Sequence, residues 1–440
     1  MRTPVRKSTA VVVSAILLPF LAVQQSHAGN VPPNAGDSAA RPAAGRHIVV
    51  FKDTTLSPDA IRARSARLVR AYGGTIVRTH GSALAGFTAD LGAEQARRIA
   101  ADPQVAYVEP DAHAHTSASA RTDPPSRVLG RVDQRDLPLD HAHTSASTQT
   151  DPPSWGLDRV DQRNLPLDHA YTYPDTASAV TVYVVDSGIR TSHSQFEQRA
   201  SVGVDEVGDG RAGQDCFGHG THVAGTIGGR DYGVAKGVHL VSVRVLDCKD
   251  SASTSNIIAA ADWITAHAVK PAVVNMSING SRSRSEETAI HNSIASGITW
   301  VVSSGNDGAD ACRNTPGAIG PAIVVNNSDS RDRRRSSSDY GSCTDLFAPG
   351  TGIESAWYTG DTATNTKTGT SQAAPHVTGA AALWLSRHPT ATPADVEHAL
   401  IADATPDTIT DARSGTPNRL LYIDPSTAST APAASSASTR

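Results

Sequence analysis

The stretch AVTVYVVDSG, residues 179–188, decides the class of fold. Its apolar run is continuous rather than alternating, which is typical of a strand buried on both faces of a parallel sheet. Candidate helices at 255–269 and 286–295 separate three further runs of this kind, at 239–246, 271–278 and 297–305. Strands that alternate with helices predict an α/β domain, which we place at 155–423.

Asp186 stands at the carboxyl end of the first of these strands. Ligands of open α/β sheets bind in the crevice outside the carboxyl ends of the strands, so an acidic residue at this point is a candidate functional group. Asp-Ser-Gly also forms an ordinary Asx turn, and this motif alone leaves both interpretations open.

The stretch GHGTHVAGT, residues 218–226, places His219 and His222 three positions apart. Two imidazoles at this spacing share one face of a helix and could be two ligands of a metal ion. Alternatively, one is a catalytic base and the other packs inside the protein. A two-histidine zinc helix also needs the glutamate of H-E-x-x-H and a third ligand, and Gly220-Thr221 stands in the middle of this motif instead.

The stretch GTSQAAPHVTGAAALWL, residues 369–385, predicts an alanine-rich helix that begins close to Ser371. Pro375 falls near the first turns, where a missing N–H group costs least. A serine at a helix N terminus lies beside free backbone N–H groups and the positive end of the dipole, and both would stabilise an oxyanion. A plain N-cap serine is the alternative.

Asp186, His219 and Ser371 follow one another in the order Asp…His…Ser, and in this order the chain resembles the subtilisin-like serine proteases. The motifs DSGI, GHGTHVAGT, NMSI, SSGN and GTSQAAPHVTG stand in the family's order between Trp155 and Ile423. The stretches YGVAKGVHLVSVRVLDC and YGSCTDLFAPG resemble the secreted proteinase K-like and aqualysin-like members. The resemblance implies a subtilisin-like three-layer fold, with a mostly parallel sheet flanked by helices, and a serine endopeptidase that needs no cofactor for catalysis.

The resemblance also implies a role for each catalytic residue. Ser371 attacks the scissile carbonyl, and His219 takes the proton of the serine hydroxyl group. Asp186 fixes the tautomer of the His219 imidazole and stabilises the imidazolium that forms. Asn306, in SSGND, matches the family's side-chain donor to the oxyanion, although on its own it is equally a turn residue after Gly305. His222 becomes a structural residue of the helix. The intact set argues against an inactive homologue, and the absence of Gly-x-Ser-x-Gly around Ser371 argues against a serine esterase of another fold.

We expect the substrate to bind as an added β-strand. Binding of this kind contacts the backbone of the peptide and depends little on its sequence. The residues that the resemblance assigns to this strand site and to the adjoining pocket wall are Ser277, Ile278, Asn279, Ser303, Ser304 and Gly305. Two residues depart from the family. Asn279 stands where a glycine is usual and predicts a crowded pocket, and Gln372 replaces the usual methionine after the nucleophile.

The chain has four cysteines, an even number that predicts disulfides in an exported protein but leaves three pairings open. The resemblance pairs Cys216 with Cys248 and Cys312 with Cys343.

A structural calcium site is also implied by the resemblance. It consists of Asp345 and the backbone carbonyl groups of Gly320 and Ala322, which are the hard oxygen ligands that calcium prefers. A surface aspartate without a metal is the alternative.

The N terminus predicts export. Basic residues precede an apolar run at 10–23, which ends in the small-residue exit SHA at 26–28. This pattern is typical of a signal peptide, which we place at 1–28, and no later run approaches the ~18 apolar residues of a membrane span. We therefore expect a secreted, extracellular protein that has no membrane partner after signal cleavage.

A small domain precedes the large one. After a disordered leader at 29–45, residues 46–111 predict the order β-α-β-β-α-β of a small α+β sandwich. This domain, including its VAYVEPD end, resembles the family's inhibitor I9-type propeptide. We expect the chain's own propeptide to act as an intramolecular inhibitor of a self-processing zymogen.

A duplication begins in the linker at 112–154 and continues into the segment after it. HAHTSASARTDPPSRVLGRVDQRDLPLD from His113 recurs as HAHTSASTQTDPPSWGLDRVDQRNLPLD from His141, an offset of 141 − 113 = 28 residues. Two copies are too few for a solenoid, so we interpret the segment as a duplicated linker that contains the maturation site. The Ser/Ala/Thr/Pro tail at 424–440 is predicted to be disordered.

Composition excludes one class of partner. The formal charge is −4 and aromatic residues make up 5% of the chain, so neither a basic patch nor a base-stacking surface for nucleic acid is expected. The expected partners are protein or peptide substrates, and the enzyme is expected to be a monomer.

Overall fold

The computed structural model describes residues 45–116 and 146–427. The predicted signal peptide, the leader as far as residue 44, the middle of the linker and the tail from residue 428 lie outside the described residues.

The strands of the described residues are numbered in chain order. They are β1 (Gly45–Phe51), β2 (Thr75–His80), β3 (Gly86–Leu91), β4 (Val105–Pro110), β5 (His113–Thr116), β6 (Ser147–Thr150), β7 (Ala170–Tyr173), β8 (Thr181–Asp186), β9 (Ala200–Asp205), β10 (His239–Arg244), β11 (Ala252–Ser253), β12 (Ala272–Met276), β13 (Ile278–Ser281), β14 (Thr299–Ser303), β15 (Asn314–Thr315), β16 (Ile323–Ser328), β17 (Leu346–Pro349), β18 (Ile353–Ala356), β19 (Thr364–Lys367), β20 (Thr405–Pro406) and β21 (Arg419–Leu420).

The helices are numbered in the same way. They are α1 (Pro58–Tyr72), α2 (Ala93–Ala100), α3 (Trp155–Val160), α4 (His219–Gly228), α5 (Thr254–His267), α6 (Arg284–Ala295), α7 (Thr370–Arg387) and α8 (Pro393–Asp403), with short 3₁₀ turns at Ser194–Phe196, Ala311–Arg313 and Pro425–Thr427.

The small N-terminal domain is an antiparallel sheet in the order β2-β3-β1-β4, and α1 and α2 pack on one face. Phe51 and Phe87 lie in the core beneath the helices, whereas Ile48 and Val50 belong to a core that they share with α5 and α6 of the large domain. The predicted β-α-β-β-α-β order is thus confirmed, and the period-two alternation of β1 supplies apolar side chains to both faces.

The large domain is built on a nine-stranded sheet in the order β20-β21-β17-β16-β14-β12-β8-β10-β9. Every neighbouring pair from β9 to β21 is parallel, and only β20 is antiparallel to its neighbour. Strand β8, the third strand from the β9 edge, is the one predicted from residues 179–186, and all six of its residues are buried.

Helices cover both faces of this sheet. Val182 and Val184 of β8 share a core with α4 and α7, while Tyr183 and Val185 share the other core with α5 and α6. This arrangement confirms the predicted three-layer α/β fold with a mostly parallel sheet flanked by helices.

Three assignments from the sequence need correction at their edges. Gly45, assigned to the leader, already belongs to β1. The segment 112–154, assigned wholly to a linker, contains β5, and its second copy contains β6, which pairs with β7. Both strands pair with residues at least 20 positions away, so local sequence could not reveal them. Residues 425–427 form a 3₁₀ turn within the assigned tail.

Two disulfides have the pairing that the resemblance implies. Cys216 bonds to Cys248 and Cys312 to Cys343, and each bridge closes a loop of just over 30 residues, with sequence separations of 32 and 31. On a chain-entropy estimate each contributes about 3–4 kcal/mol to stability. Within residues 45–116 and 146–427, no helix has the length and apolar character needed to cross a membrane.

Candidate active site

Asp186 and His219 meet at the carboxyl edge of the central sheet. Asp186 is the last residue of β8, and His219 is the first residue of α4. His219 Nδ1 lies 2.9 Å from both carboxylate oxygens of Asp186, and both side chains are buried. The carboxylate also accepts a 2.7 Å hydrogen bond from the Ser187 N–H group. The geometry places the imidazole proton on Nδ1 and leaves Nε2 to act as a base.

The surroundings of His219 raise its pKa. Burial by itself lowers the pKa of His219, but the Asp186 carboxylate outweighs it and the net pKa is raised. The Asp250 carboxylate adds to this rise. A raised pKa means that the imidazole accepts a proton more readily than free histidine does.

Ser371 is the second residue of α7, near the helix N terminus as predicted. Its Oγ donates a hydrogen bond to the Ser277 carbonyl oxygen at 3.3 Å. Among the described residues, none is a hydrogen-bond partner of His219 Nε2, so the expected Ser371–His219 hydrogen bond is not formed in this structure. Contacts between a nucleophile and its base are often loose before substrate is engaged.

Asn306 follows β14 and lies beside the N terminus of α7. Its Oδ1 accepts a 3.0 Å hydrogen bond from the Thr370 N–H group, which fixes the orientation of the amide. Its Nδ2 is buried and is without a hydrogen-bond partner in the described part of the chain. An amide held in this way presents a donor to whatever oxygen enters the cleft.

His222, one turn after His219, has a structural environment. Its Nε2 lies 3.1 Å from the carbonyl oxygens of both Ile353 and Asn365, and burial lowers its pKa to about 3. A neutral ring that donates to backbone carbonyls fits the structural role inferred from the sequence rather than a metal ligand.

The cleft beside these groups holds β5, the strand that follows the small domain. β5 pairs antiparallel with β13 on one side and with β11 on the other, so it lies as an added strand between two strands of the large domain. Thr116 faces Ile278, and His115 faces Asn279. A cavity of about 530 Å³ adjoins the end of β5, and its lining includes Thr116, Asn279 and Asn306.

The substrate residues expected from the sequence come together at this cleft. Ile278 and Asn279 belong to β13, which follows directly on Ser277, and Ser303 ends β14, with Ser304 and Gly305 next to it. The Asn279 side chain, which was expected to crowd the pocket, lies in the lining of the cavity at this cleft. Its amide is turned to the wall, where Nδ2 donates to the Ser303 carbonyl at 3.3 Å and Oδ1 accepts from Ser303 Oγ at 2.9 Å.

Carboxylates fix the small domain over the two helices α5 and α6. Asp111 accepts hydrogen bonds from the N–H group and the hydroxyl of Ser255, and Glu109 does the same for Ser285. Each serine is the second residue of its helix. Negative charge at a helix N terminus is favourable, so both contacts hold β4 and the adjoining β5 in place.

Asp215 is a residue of the site that the sequence did not single out. Its half-buried carboxylate accepts five hydrogen bonds, from the Ser187 hydroxyl, the N–H groups of Phe217 and Gly218, and the N–H group and hydroxyl of Thr221. It therefore ties the end of β8 to the start of α4. Its position four residues before His219 was the only signal in the sequence.

Asp345 is the half-buried carboxylate of the expected calcium site. It lies just before β17, and its Oδ2 accepts a 2.7 Å hydrogen bond from the Val324 N–H group. Burial raises the pKa of Asp345 to about 7. A desolvated carboxylate near the loop that contains Gly320 and Ala322 fits a hard cation, because the positive charge would offset its burial.

A second pair of carboxylates, whose pKa values are also raised by burial, was not identified from the sequence. Asp158 and Asp161 lie at the end of α3, and Asp168 is near both. Burial raises the pKa of Asp161 to about 7 and also raises the pKa of Asp158. Within the described ranges, Oδ1 of Asp158 and Oδ1 of Asp161 are buried and lack partners. These carboxylate oxygens, which have no hydrogen-bond partner among the described residues, could serve as ligands of a cation.

Gln372, the departure next to the nucleophile, is fully buried. Neither atom of its amide has a hydrogen-bond partner among the residues that the structure covers, and nothing in the structure explains this substitution.

Comparison with known proteins matches both domains. The model of the subtilase family matches residues 177–421, and the model of peptidase inhibitor I9 matches residues 46–117. The extracellular serine proteinase of Thermus sp. (strain Rt41A) is 44% identical over 86% of this chain and 89% of its own length. The alkaline serine exoprotease A of Vibrio alginolyticus is 40% identical over 86% of this chain and 67% of its own.

Among solved structures, the chain is similar to a crystal structure of a cold adapted subtilisin-like serine proteinase. The TM-score is 0.60 at 46% sequence identity, and the match covers 61% of this chain and 97% of that one.

Proposed function

The chain belongs to the subtilase family, and on that premise we propose that Asp186, His219 and Ser371 are the catalytic triad of this serine endopeptidase. The observation that carries the proposal is the buried contact of His219 Nδ1 with both oxygens of Asp186, at the sheet edge where α7 presents Ser371. The protein is made as a zymogen with an I9 propeptide domain.

Each step of peptide hydrolysis has a group to perform it. Ser371 Oγ attacks the scissile carbonyl carbon while His219 Nε2 takes the hydroxyl proton, and Asp186 stabilises the imidazolium that forms. The imidazolium then gives this proton to the departing amine, which leaves an acyl group on Ser371. A water molecule, activated by the same imidazole, replaces the serine oxygen and restores the enzyme.

The tetrahedral oxygen needs donors that are already in position. We assign this role to Asn306 Nδ2 and the backbone N–H group of Ser371. The amide is oriented by the Thr370 contact, so it does not have to reorganise as charge develops.

Asn306→Ala is expected to lower kcat by about 10²–10³-fold with little change in KM, because the lost donor acts on the transition state. Steady-state kinetics on a quenched peptide measures this. Asn306→Asp is the companion variant, since it keeps the Oδ1 that accepts from Thr370 but loses the donor. A kcat within threefold of wild type in both variants would refute the assignment.

We assign Ser277, Ile278 and Asn279 to the substrate strand, and Ser303, Ser304 and Gly305 to the adjoining wall. The support is the pairing of β13 with β5, which occupies the cleft as an extended peptide would. The chain's own propeptide therefore blocks the site in the zymogen, and the mature peptidase at 155–423 is free only after processing within 112–154.

We propose that the enzyme is secreted by way of the signal peptide at 1–28. The named relatives include an extracellular serine proteinase, and the two disulfides are suited to an oxidising compartment.

We propose structural calcium at Asp345, with Gly320 and Ala322, and no metal in catalysis. Calcium would supply positive charge to a half-buried carboxylate, so its removal should destabilise the fold. Excess EDTA is expected to lower Tm by several degrees, since ~1 kcal/mol corresponds to about 2–4 °C in a domain of this size.

Two variants locate the effect of EDTA. Asp345→Asn should abolish most of the Tm difference between calcium and EDTA if that site dominates, and Asp161→Asn should do so if the second carboxylate pair dominates. The same Tm with and without EDTA in the wild-type protein would contradict structural calcium altogether.

A further inference from the structure

Asp250 holds the peptide strand in the cleft by two atoms at once. It lies in the loop between β10 and β11, and its Oδ1 accepts a 2.8 Å hydrogen bond from the Thr116 N–H group. Its Oδ2 accepts a second hydrogen bond, at 3.0 Å, from the Thr116 hydroxyl. The carboxylate therefore contacts both the backbone and the side chain of one residue.

Thr116 occupies a position that any bound substrate must fill. It pairs with Ile278, the residue directly after Ser277, and the carbonyl oxygen of Ser277 accepts a hydrogen bond from the Ser371 hydroxyl group. Thr116 is 2% exposed, so its hydroxyl group has left water and depends on Asp250. A substrate strand in the same register brings one of its own side chains against Asp250.

The loop that carries Asp250 is braced on both sides. Asp247 Oδ1 accepts hydrogen bonds from the N–H groups of Lys249 and Ser251, at 2.8 and 3.0 Å. Cys248 is bonded to Cys216, which precedes the helix that begins at His219. A rigid loop holds the carboxylate in position before a substrate arrives, so the contact costs little ordering.

We propose that Asp250 is a specificity-determining residue that selects threonine or serine at the substrate position opposite Ile278. This inference rests on the proposed function and adds a preferred substrate class, peptides with a small hydroxyl residue at this position. Valine has nearly the same shape as threonine but cannot donate to Oδ2, and a desolvated carboxylate oxygen without its donor is costly.

The test compares two internally quenched peptides, HAHTSAS and HAHVSAS, which correspond to residues 113–119 with threonine or valine at position 116. The enzyme is purified after expression of the full chain. We expect kcat/KM to be at least ~10-fold higher for the threonine peptide, as a hydrogen bond to a charged group predicts. A lysine peptide tests charge alone, and faster cleavage of it than of the threonine peptide would overturn the proposal.

Variants of the loop locate the preference. Asp250 has a φ of 66°, a left-handed conformation that glycine and asparagine adopt readily, so Asp250→Gly and Asp250→Asn should fold. Asp250→Gly should reduce the threonine-to-valine ratio to about 1, whereas Lys249→Ala, an exposed neighbour, should keep the wild-type ratio. An unchanged ratio in Asp250→Gly would overturn the proposal.

A second measurement does not require an active Asp250 variant. Thr116→Val combined with Thr144→Val, which changes the same position of the second HAHTSAS copy at 141–147, should slow the appearance of mature enzyme by a factor similar to the peptide ratio. Processing at the wild-type rate would contradict the proposal. If no peptide were cleaved at all, the triad assignment would fail, whereas equal cleavage of both peptides by the wild-type enzyme would refute only the role of Asp250.

Discussion

Ser371→Ala is expected to lower kcat on casein by a factor on the order of 10⁴ to 10⁶, because no other group can form the acyl-enzyme. Release of the propeptide should stop as well, since the same hydroxyl group cleaves the chain's own linker. The secreted protein should therefore accumulate at the mass of the zymogen, which mass spectrometry of the culture medium measures. Folding should be intact, because the change removes one oxygen atom whose hydrogen bond to Ser277 is a long 3.3 Å.

Ser386→Ala provides a matched control for this variant. Ser386 lies at the other end of the same helix α7, where its hydroxyl group donates to the carboxylate of Asp175. This control should still process itself and degrade casein. A Ser371→Ala protein that matured normally would show that another protease performs the cleavage and would contradict self-processing.

Asp186→Asn is expected to lower kcat at neutral pH by a factor on the order of 10⁴ with the fold preserved. The amide keeps the shape of the carboxylate but can direct its NH₂ group at Nδ1, which favours the wrong tautomer of His219 and leaves the imidazolium without a counter-ion. Pre-steady-state acylation of the enzyme by a peptide ester measures the loss of rate at the step in which His219 acts as the base.

The pH dependence of kcat/KM in the same variant tests the role of Asp186 independently. The Asp186 carboxylate contributes to the raised pKa of His219, so its neutralisation should lower that pKa. Because the base must be unprotonated, the acid limb of kcat/KM should move to lower pH. Asp329→Asn removes a carboxylate that binds Arg333 outside the site and should leave the profile in place. An Asp186→Asn enzyme with the wild-type acid limb would exclude the proposed role of Asp186.

The strands and helices of the large domain could be predicted where the local pattern of apolar residues determines the structure. β8 is recognisable because it is buried on both faces and therefore continuously apolar, and α7 because its alanine run begins just after a glycine. The triad could be found because each member stands at the end of such an element. The resemblance then supplied the roles that the three motifs left open individually.

Other features depend on residues that are far apart in sequence. β5 is a strand only because Ile278 and Ala252 offer it edges to pair with, and its own sequence, HAHT, has little strand character. The direction of the Asn279 amide is set by Ser303, and the importance of Asp250 follows from its contact with Thr116. Orphaned oxygens such as those of Asp158 are defined by burial, which spacing does not reveal.

Covalent labelling tests the central claim most directly. The enzyme, purified after expression of the full chain, is treated with a fluorophosphonate, digested, and searched for the modified residue by mass spectrometry. We predict a single adduct, on the peptide that contains Ser371, in proportion to the loss of casein hydrolysis. Undiminished hydrolysis by a fully treated enzyme, or an adduct on a different residue that accompanies inactivation, would contradict the assignment of Ser371 as the nucleophile.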